Sequence, residues 1–206
     1  ATTTDSILAL SMKDGSIQWH HQEFKDAFML GCPDKSPPGE ICPESLGQDW
    51  DFGGASAILQ PLGAGRSVLV SAGKGGVAIA LDPDRQGKLL WRVDLYNGAP
   101  PTADGLVLFG GTADGSRVYW PLQQEGGGLK ALRLRDGHVD WNAAIKADKR
   151  GQVSAASSIP GVVFTGGWDG VLRAVDMGGR VIWSFNTRQR FDSVNGVIAI
   201  GGSIGA

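Results

Sequence analysis

The chain is expected to be all-β, a β-propeller segment of about four blades, on three observations. First, a hairpin module ending in tryptophan occurs four times. Its clearest copy is Ala80-Leu81-Asp82, a Gly87-Lys88 turn and Trp91. The others run from Ala9-Leu10 through Asp14-Gly15 to Trp19, from Ala131-Leu132 through Asp136-Gly137 to Trp141, and from Ala174-Val175-Asp176 through Gly178-Gly179 to Trp183. In each, apolar residues alternate up to a turn and resume behind a glycine, the pattern of two antiparallel strands tightly joined. Second, at their closest the modules recur every roughly 40 to 50 residues, enough for four short strands and their turns, which is one blade. Third, the 32 glycines are roughly twice the usual share and fall at turns and strand edges that need positive φ.

With 206 residues and this period, residues 1–206 read as one quasi-regular array rather than two separate domains. Nineteen basic and 21 acidic side chains give a net charge of −2 and are spread along the chain. No basic footprint exists for nucleic acid or an anionic membrane, and both are excluded as main partners. No apolar run approaches the roughly 18 residues of a membrane span, and ATTTDSILAL lacks the build of a signal peptide. The chain opens inside a strand and stops at GGSIGA without a fifth module, so an internal piece of a longer protein is expected.

After Trp19 the periodicity fails, and residues 20–49 read as a long surface insertion carrying Pro33, Pro37, Pro38, Pro43 and the two cysteines, Cys32 and Cys42. Three readings are open for the cysteines: a disulfide in an oxidising compartment, two free thiols, or a metal site needing further ligands. His20 and His21 match no common zinc spacing with them and read as exposed loop residues. Strands are then expected at Ala57-Ile58-Leu59, Val68-Leu69-Val70, Val77 to Leu81, Leu106 to Phe109, Val118-Tyr119-Trp120, Ser154 to Ile159, Val162-Val163-Phe164 and Ile198 to Ile200. Residues 143–150 fit a short helical turn. Lys74, between glycines at a strand end, is by itself an ordinary solvated turn residue. No Ser-His-Asp arrangement, phosphate-cradling glycine loop or metal cluster stands in the sequence.

The four modules resemble the tryptophan-docking motif of pyrroloquinoline quinone (PQQ) repeats, A-x-D-x-x-T-G-x-x-x-W. Ser11 and Arg133 stand in for its aspartate in the first and third copies, and its threonine is absent from all four. The motif implies a Trp packed between neighbouring blades over a peptide of the next one, burying a large apolar side chain at every junction. A wider resemblance runs through DSILAL, CPESLGQDWDFGGASAIL, AGKGGVAIALDPDRQGKLLW, ADGSRVYWPL, IPGVVFTGGWDGVLRAVDMGGRVIWSFNT and FDSVNGVIAIGGSIGA. In this order the segments are similar to the central part of quinoprotein alcohol dehydrogenases, most closely the polyvinyl alcohol dehydrogenase type.

That resemblance implies an eight-bladed ring with PQQ and calcium on its axis, and oxidation of a small or polymeric alcohol by hydride transfer to the quinone. It further implies an electron acceptor such as a cytochrome c and a periplasmic setting, which suits a Cys32–Cys42 disulfide. Lys74 matches the basic residue that contacts the quinone oxygens, where a cation would stabilise charge as the quinone is reduced. Residues 105–110 replace a Gly-Gly-x-Gln-Trp-Gly run lining the cofactor, which puts Phe109 at the cofactor wall. The catalytic carboxylate and the calcium ligands are expected ahead of Ala1. A second function shares the same repeats: a noncatalytic propeller serving as a protein-binding scaffold, as in outer-membrane assembly lipoproteins.

Overall fold

The computed structural model describes residues 3–24, 29–39, 41–96, 106–145 and 151–200, with residues 199 and 200 described by their backbone alone. Its strands group into sheets along the chain. A hairpin of β1 (Ser6–Leu10) and β2 (Ile17–Gln22) comes first, then a four-stranded meander of β3 (Ile58–Gly63), β4 (Arg66–Ala72), β5 (Val77–Asp82) and β6 (Lys88–Asp94). The second meander comprises β7 (Thr112–Ala113), β8 (Arg117–Pro121), β9 (Leu129–Arg133) and β10 (Val139–Ala143). The third comprises β11 (Ser157–Ile159), β12 (Val162–Gly166), β13 (Val171–Asp176) and β14 (Val181–Asn186). A short pair, β15 (Arg190–Phe191) with β16 (Ala199–Ile200), follows. Among the described residues, the expected blades appear as three four-stranded sheets and two two-stranded pairs, with each Trp module supplying the last two strands of its sheet or pair.

The sheets bury their faces against one another. β5, VAIALD, is buried along nearly its whole length because both faces are covered by neighbouring sheets, which explains its near-continuous apolar run. One core joins Val68, Val70, Ala78, Ala80 and Trp91 of the first meander to Leu106, Val118, Trp120 and Leu132 of the second. Another joins Tyr119, Leu129 and Ala131 to Val163 and Val175 of the third. A third sets Ile7 and Phe24 against Val77, Ile79 and Leu81.

Each junction is fastened by a docked tryptophan. Trp19 lies against Gly87, Trp91 against Gly137 and Trp141 against Gly179, each glycine being the turn residue of the next module. The indole Nε1 of Trp91 donates to the Leu134 carbonyl at 2.9 Å, and that of Trp141 to the Met177 carbonyl at 3.0 Å. Gly137 has φ +71°, and a Cβ there would stand 2.8 Å from the Trp91 ring. The turn thus needs glycine twice, for its backbone and for the indole. The series ends at Trp183, which is 48% exposed and stacks instead on Phe185 of its own strand, ring centres 6.1 Å apart.

Several boundaries differ from the sequence expectation. β2 continues to Gln22, and His20 and His21 pair in register with Leu8 and Ile7. They are strand residues, and the insertion begins after them. Leu106 to Phe109 forms no strand; it is a bent segment whose backbone bonds run to neighbouring loops. Only Ser157–Ile159 of the expected Ser154 to Ile159 is strand. The helical turn over 143–150 lies mostly outside the described residues, with Ala143 closing β10. Among the described residues no helix is long and apolar enough to cross a membrane.

Tyr119 ties the second sheet to the third: its hydroxyl donates to Asp114 Oδ2 at 2.5 Å and lies 3.3 Å from Met177 Sδ. Burial, reinforced by the Asp114 carboxylate, pushes the phenol pKa up to about 12. The unfolded phenol ionises near 10, so between about 10 and 12 the folded state holds the proton the unfolded state has lost, and stability falls as pH rises through that window. Tyr119→Phe is expected to cost about 1 to 2 kcal/mol at pH 8 and to flatten this alkaline decline. Urea melts of both proteins at pH 8 and pH 11 check it.

Candidate functional site

The sequence between the insertion and β3 reads Asp49-Trp50-Asp51-Phe52-Gly53-Gly54. Asp49 and Asp51 both bring their carboxylates to Lys74, while Trp50 and Phe52 place their rings in an apolar core. The rings anchor the segment: Phe52 packs edge-on against Phe24 at 5.4 Å, and both Trp50 and Phe52 lie against the Ile7, Phe24 and Ile79 core.

The carboxylates meet Lys74. Its Nζ donates to Asp49 Oδ2 at 2.7 Å and to Asp51 Oδ2 at 3.2 Å. The lysine sits in the β4–β5 loop, and its backbone is clamped on both sides. Its N–H donates to the Asp51 carbonyl, and its carbonyl accepts from the Leu106 N–H, each at 2.8 Å. The flanking glycines allow this approach: a Cβ on Gly73 would stand 2.5 Å from the Asp51 oxygen, and one on Gly75 would stand 2.6 Å from the Phe24 ring. Burial alone would lower the Lys74 pKa, but the hydrogen bonds and charges of Asp49 and Asp51 outweigh it. The net shift is upward, and the ammonium stays charged.

The two carboxylates are not equivalent. Asp49 makes the shorter contact, and its side chain is 26% exposed against 37% for Asp51. Asp51 is the better positioned, since its Oδ1 also accepts the Gly53 N–H at 2.6 Å. Phe109 stands exposed across the same segment: Gly54 donates to the Leu108 carbonyl at 2.7 Å, and a Cβ on Gly54 would stand 3.2 Å from the Phe109 ring. The fold thus gathers Lys74 and Phe109 around residues 49–54, together with two aspartates, Asp49 and Asp51, that no motif in the sequence marks. Their period-two alternation with aromatic residues was the available signal.

Cys32 and Cys42 form a disulfide, Cα atoms 5.6 Å apart, which closes the insertion beside a bridge between Lys35 and Ser45. That selects the first of the three readings open for these cysteines. Among the described residues, no three His, Cys, Asp or Glu side chains gather as a metal site.

Four-stranded antiparallel sheets joined by docked tryptophans define a propeller array of PQQ-type repeats. The family model described as outer membrane protein assembly factor BamB matches residues 4–205, and the chain belongs to that PQQ-repeat family. It is 34% identical over 219 residues to a polyvinylalcohol dehydrogenase of a Pseudomonas species, and 32% identical over 220 residues to one of a Sphingopyxis species. Each alignment covers 97% of this chain and 33% of the relative. The chain therefore spans about a third of the length of these curated relatives. Among solved structures, the quinohemoprotein alcohol dehydrogenase of Comamonas testosteroni superposes with a TM-score of 0.61 at 18% identity, over 98% of this chain and 36% of that one. BamB of Moraxella catarrhalis gives 0.51 at 20% identity, over 84% and 41%. Both structural likenesses concern the fold alone.

Proposed function

We propose that this chain supplies consecutive blades to a PQQ-dependent dehydrogenase that oxidises an alcohol, secondary or polymeric, in the periplasm. One observation carries the reading: a charged lysine fixed at the inner rim by backbone bonds on both sides and flanked by two partly exposed carboxylates. A scaffold surface has no use for a cation held so firmly among glycines. The donor set suits the cofactor, because a fixed ammonium is what quinone oxygens need as negative charge grows on them. Lys74 would hold those oxygens, with Phe109 against the wall of the site. PQQ held there would supply the two-electron acceptor that oxidation of the carbinol carbon requires.

The remaining chemistry belongs to the chain's own groups. The alcohol O–H must lose its proton, and Asp51 is the base we assign: it is partly exposed, it is oriented by the Gly53 N–H, and its contact to Lys74 is the longer of the two. Asp49, at 2.7 Å, serves as the standing counter-ion of the lysine. The resemblance by itself implies a catalytic carboxylate ahead of Ala1; Asp51 is proposed beside that expectation, on its contacts to Lys74 and Gly53. Calcium and a cytochrome c acceptor remain part of the proposal, with no calcium ligand assigned within this chain. The Cys32–Cys42 bond accords with an oxidising compartment.

The competing reading, a protein-binding scaffold, has its own support in Leu108 and Phe109, which stand where the dehydrogenase type carries polar Gln and Trp. Reconstitution of the native protein with PQQ and calcium separates the two. Equilibrium dialysis and dye-linked oxidation, with a small secondary alcohol and with polyvinyl alcohol, are expected to show saturable cofactor binding and turnover. Absence of any PQQ binding would leave the scaffold.

A further inference from the structure

Where the first two meanders meet, at the end away from Lys74, the surface opens into a cavity of about 440 Å³, within the size range of small-molecule sites. Connections in an antiparallel meander alternate between its two ends, so Leu62, at the β3–β4 turn, lies opposite the β4–β5 loop that carries Lys74. Leu62 forms one wall. The other is built by the second meander: Arg117 opens β8, Arg133 closes β9, Arg135 lies in the turn that follows, and Asp140 stands on β10.

Asp140 sets the geometry. Its side chain is 14% exposed and accepts from two guanidiniums at once, from Arg117 Nε on Oδ2 and from Arg133 Nε on Oδ1, each at 2.6 Å. Both arginines are thus gripped through Nε, and their terminal nitrogens are left for other partners. One of those of Arg117 lies 3.5 Å from the Met177 carbonyl, while those of Arg133 meet no acceptor among the described residues. The Arg135 guanidinium has no hydrogen bond or ion pair among the described residues. The backbone between these two arginines is fixed on both sides, since the Leu134 carbonyl accepts the Trp91 indole N–H and the Leu134 N–H donates to the Ser116 carbonyl, each at 2.9 Å.

The acids of the cavity are already engaged. Arg117 first, and Arg133 with it, hold the Asp140 carboxyl below the usual carboxylate range, and Asp136 Oδ1 accepts the His138 N–H at 3.0 Å. Three arginines against two aspartates leave the lining with a surplus of positive charge. Holding Asp140 accounts for Arg117 and for one nitrogen of Arg133. It does not account for Arg135 on the wall of the same cavity.

We propose that this cavity binds a small polyvalent oxyanion bearing phosphate or carboxylate groups, with the terminal nitrogens of Arg133 and the guanidinium of Arg135 as its donors. A planar guanidinium presents paired N–H groups that match the paired oxygens of either group. The site is separate from the one that Lys74 organises, and it stands or falls independently of the dehydrogenase reading.

The test is isothermal titration calorimetry of the native protein at pH 7 and constant ionic strength, with inorganic phosphate, citrate and acetate as probes. Saturable binding of phosphate or citrate is expected, with acetate far weaker because a lone carboxylate cannot engage both arginines. Tighter phosphate assigns a phosphate-bearing ligand, and tighter citrate a polycarboxylate. Arg135→Gln is the cleanest variant, because its guanidinium makes no bond on which folding depends, and it is expected to weaken binding about tenfold or more. Arg133→Lys keeps the charge and is also expected to weaken binding, since an ammonium has no paired fork. Lys88→Gln removes the same charge from an exposed strand end outside the cavity and is expected to stay within about twofold of wild type. Wild-type affinity in Arg135→Gln, an equal loss in Lys88→Gln, or no saturable heat with either polyvalent anion would overturn the site.

Discussion

Asp51→Asn is expected to abolish most alcohol oxidation while leaving the blade array folded. The amide keeps the shape of the carboxylate and can still accept the Gly53 N–H bond now made at 2.6 Å, but it cannot take a proton from the substrate hydroxyl. Loss of a positioned general base lowers turnover about 10²- to 10⁴-fold, and that range is expected in kcat, with cofactor affinity changed far less. Lys74→Ala should show the opposite balance. Removing the cation weakens cofactor binding or slows quinone reduction by about 2 to 4 kcal/mol and leaves Asp49 and Asp51 facing each other unneutralised. Lys88, in the hairpin turn after the Pro83–Arg85 segment, is the control, since exposed substitutions cost about 0.5 kcal/mol or less. Steady-state kinetics and dialysis on the reconstituted protein measure all of this. Full turnover in Asp51→Asn with a large loss in Asp49→Asn would exchange the two carboxylate roles, and equal behaviour of the Lys74 and Lys88 variants would return Lys74 to a simple turn residue.

Trp91→Ala is the substitution expected to damage the fold most. Its ring fills the junction between the first two complete sheets, lies against Gly137 and donates to Leu134, and its removal opens a cavity that rigid neighbouring sheets cannot close. Large aromatic truncations of this kind cost about 3 to 5 kcal/mol. Gly137→Ala attacks the same contact from the other side, since a Cβ would meet the indole at 2.8 Å on a backbone with φ +71°. It should also destabilise, and less than additively with Trp91→Ala because both disturb one junction. Trp183→Ala in this 206-residue chain provides the contrast. Its indole is 48% exposed, so about 1 kcal/mol or less is expected. Chemical denaturation of the three variants gives the comparison, and a Trp91→Ala protein as stable as wild type would refute the junction account.

The contrast between Trp91 and Trp183 also shows where the sequence stops being informative. All four modules look alike as text, because each encodes the same two-strand hairpin with a glycine turn and a terminal indole. Whether that indole is buried depends on the turn of the following sheet, a contact between residues far apart in the chain, 43 positions for Trp91 with Leu134 and 36 for Trp141 with Met177. Leu106 to Phe109 illustrates the opposite error. Its apolar run reads as a strand, yet its backbone bonds go to Lys74, Gln123 and Gly54, in loops of both adjoining sheets, and this local pattern cannot be told from a strand ladder in a one-dimensional reading.

What the sequence by itself determined is the repeating hairpin, the all-β class, the family likeness and the singling out of Lys74, all of which follow from short-range alternation, turn glycines and ordered segments. Only the tertiary structure decided that Asp49 and Asp51 are the partners of Lys74 and that Phe109 borders the same segment. These relations arise because the inner-rim loops bond sideways from sheet to sheet. Alternation and glycine content specify each sheet on its own, whereas the site is assembled from the edges where sheets meet, between residues 23 and 25 positions apart or in separate sheets altogether.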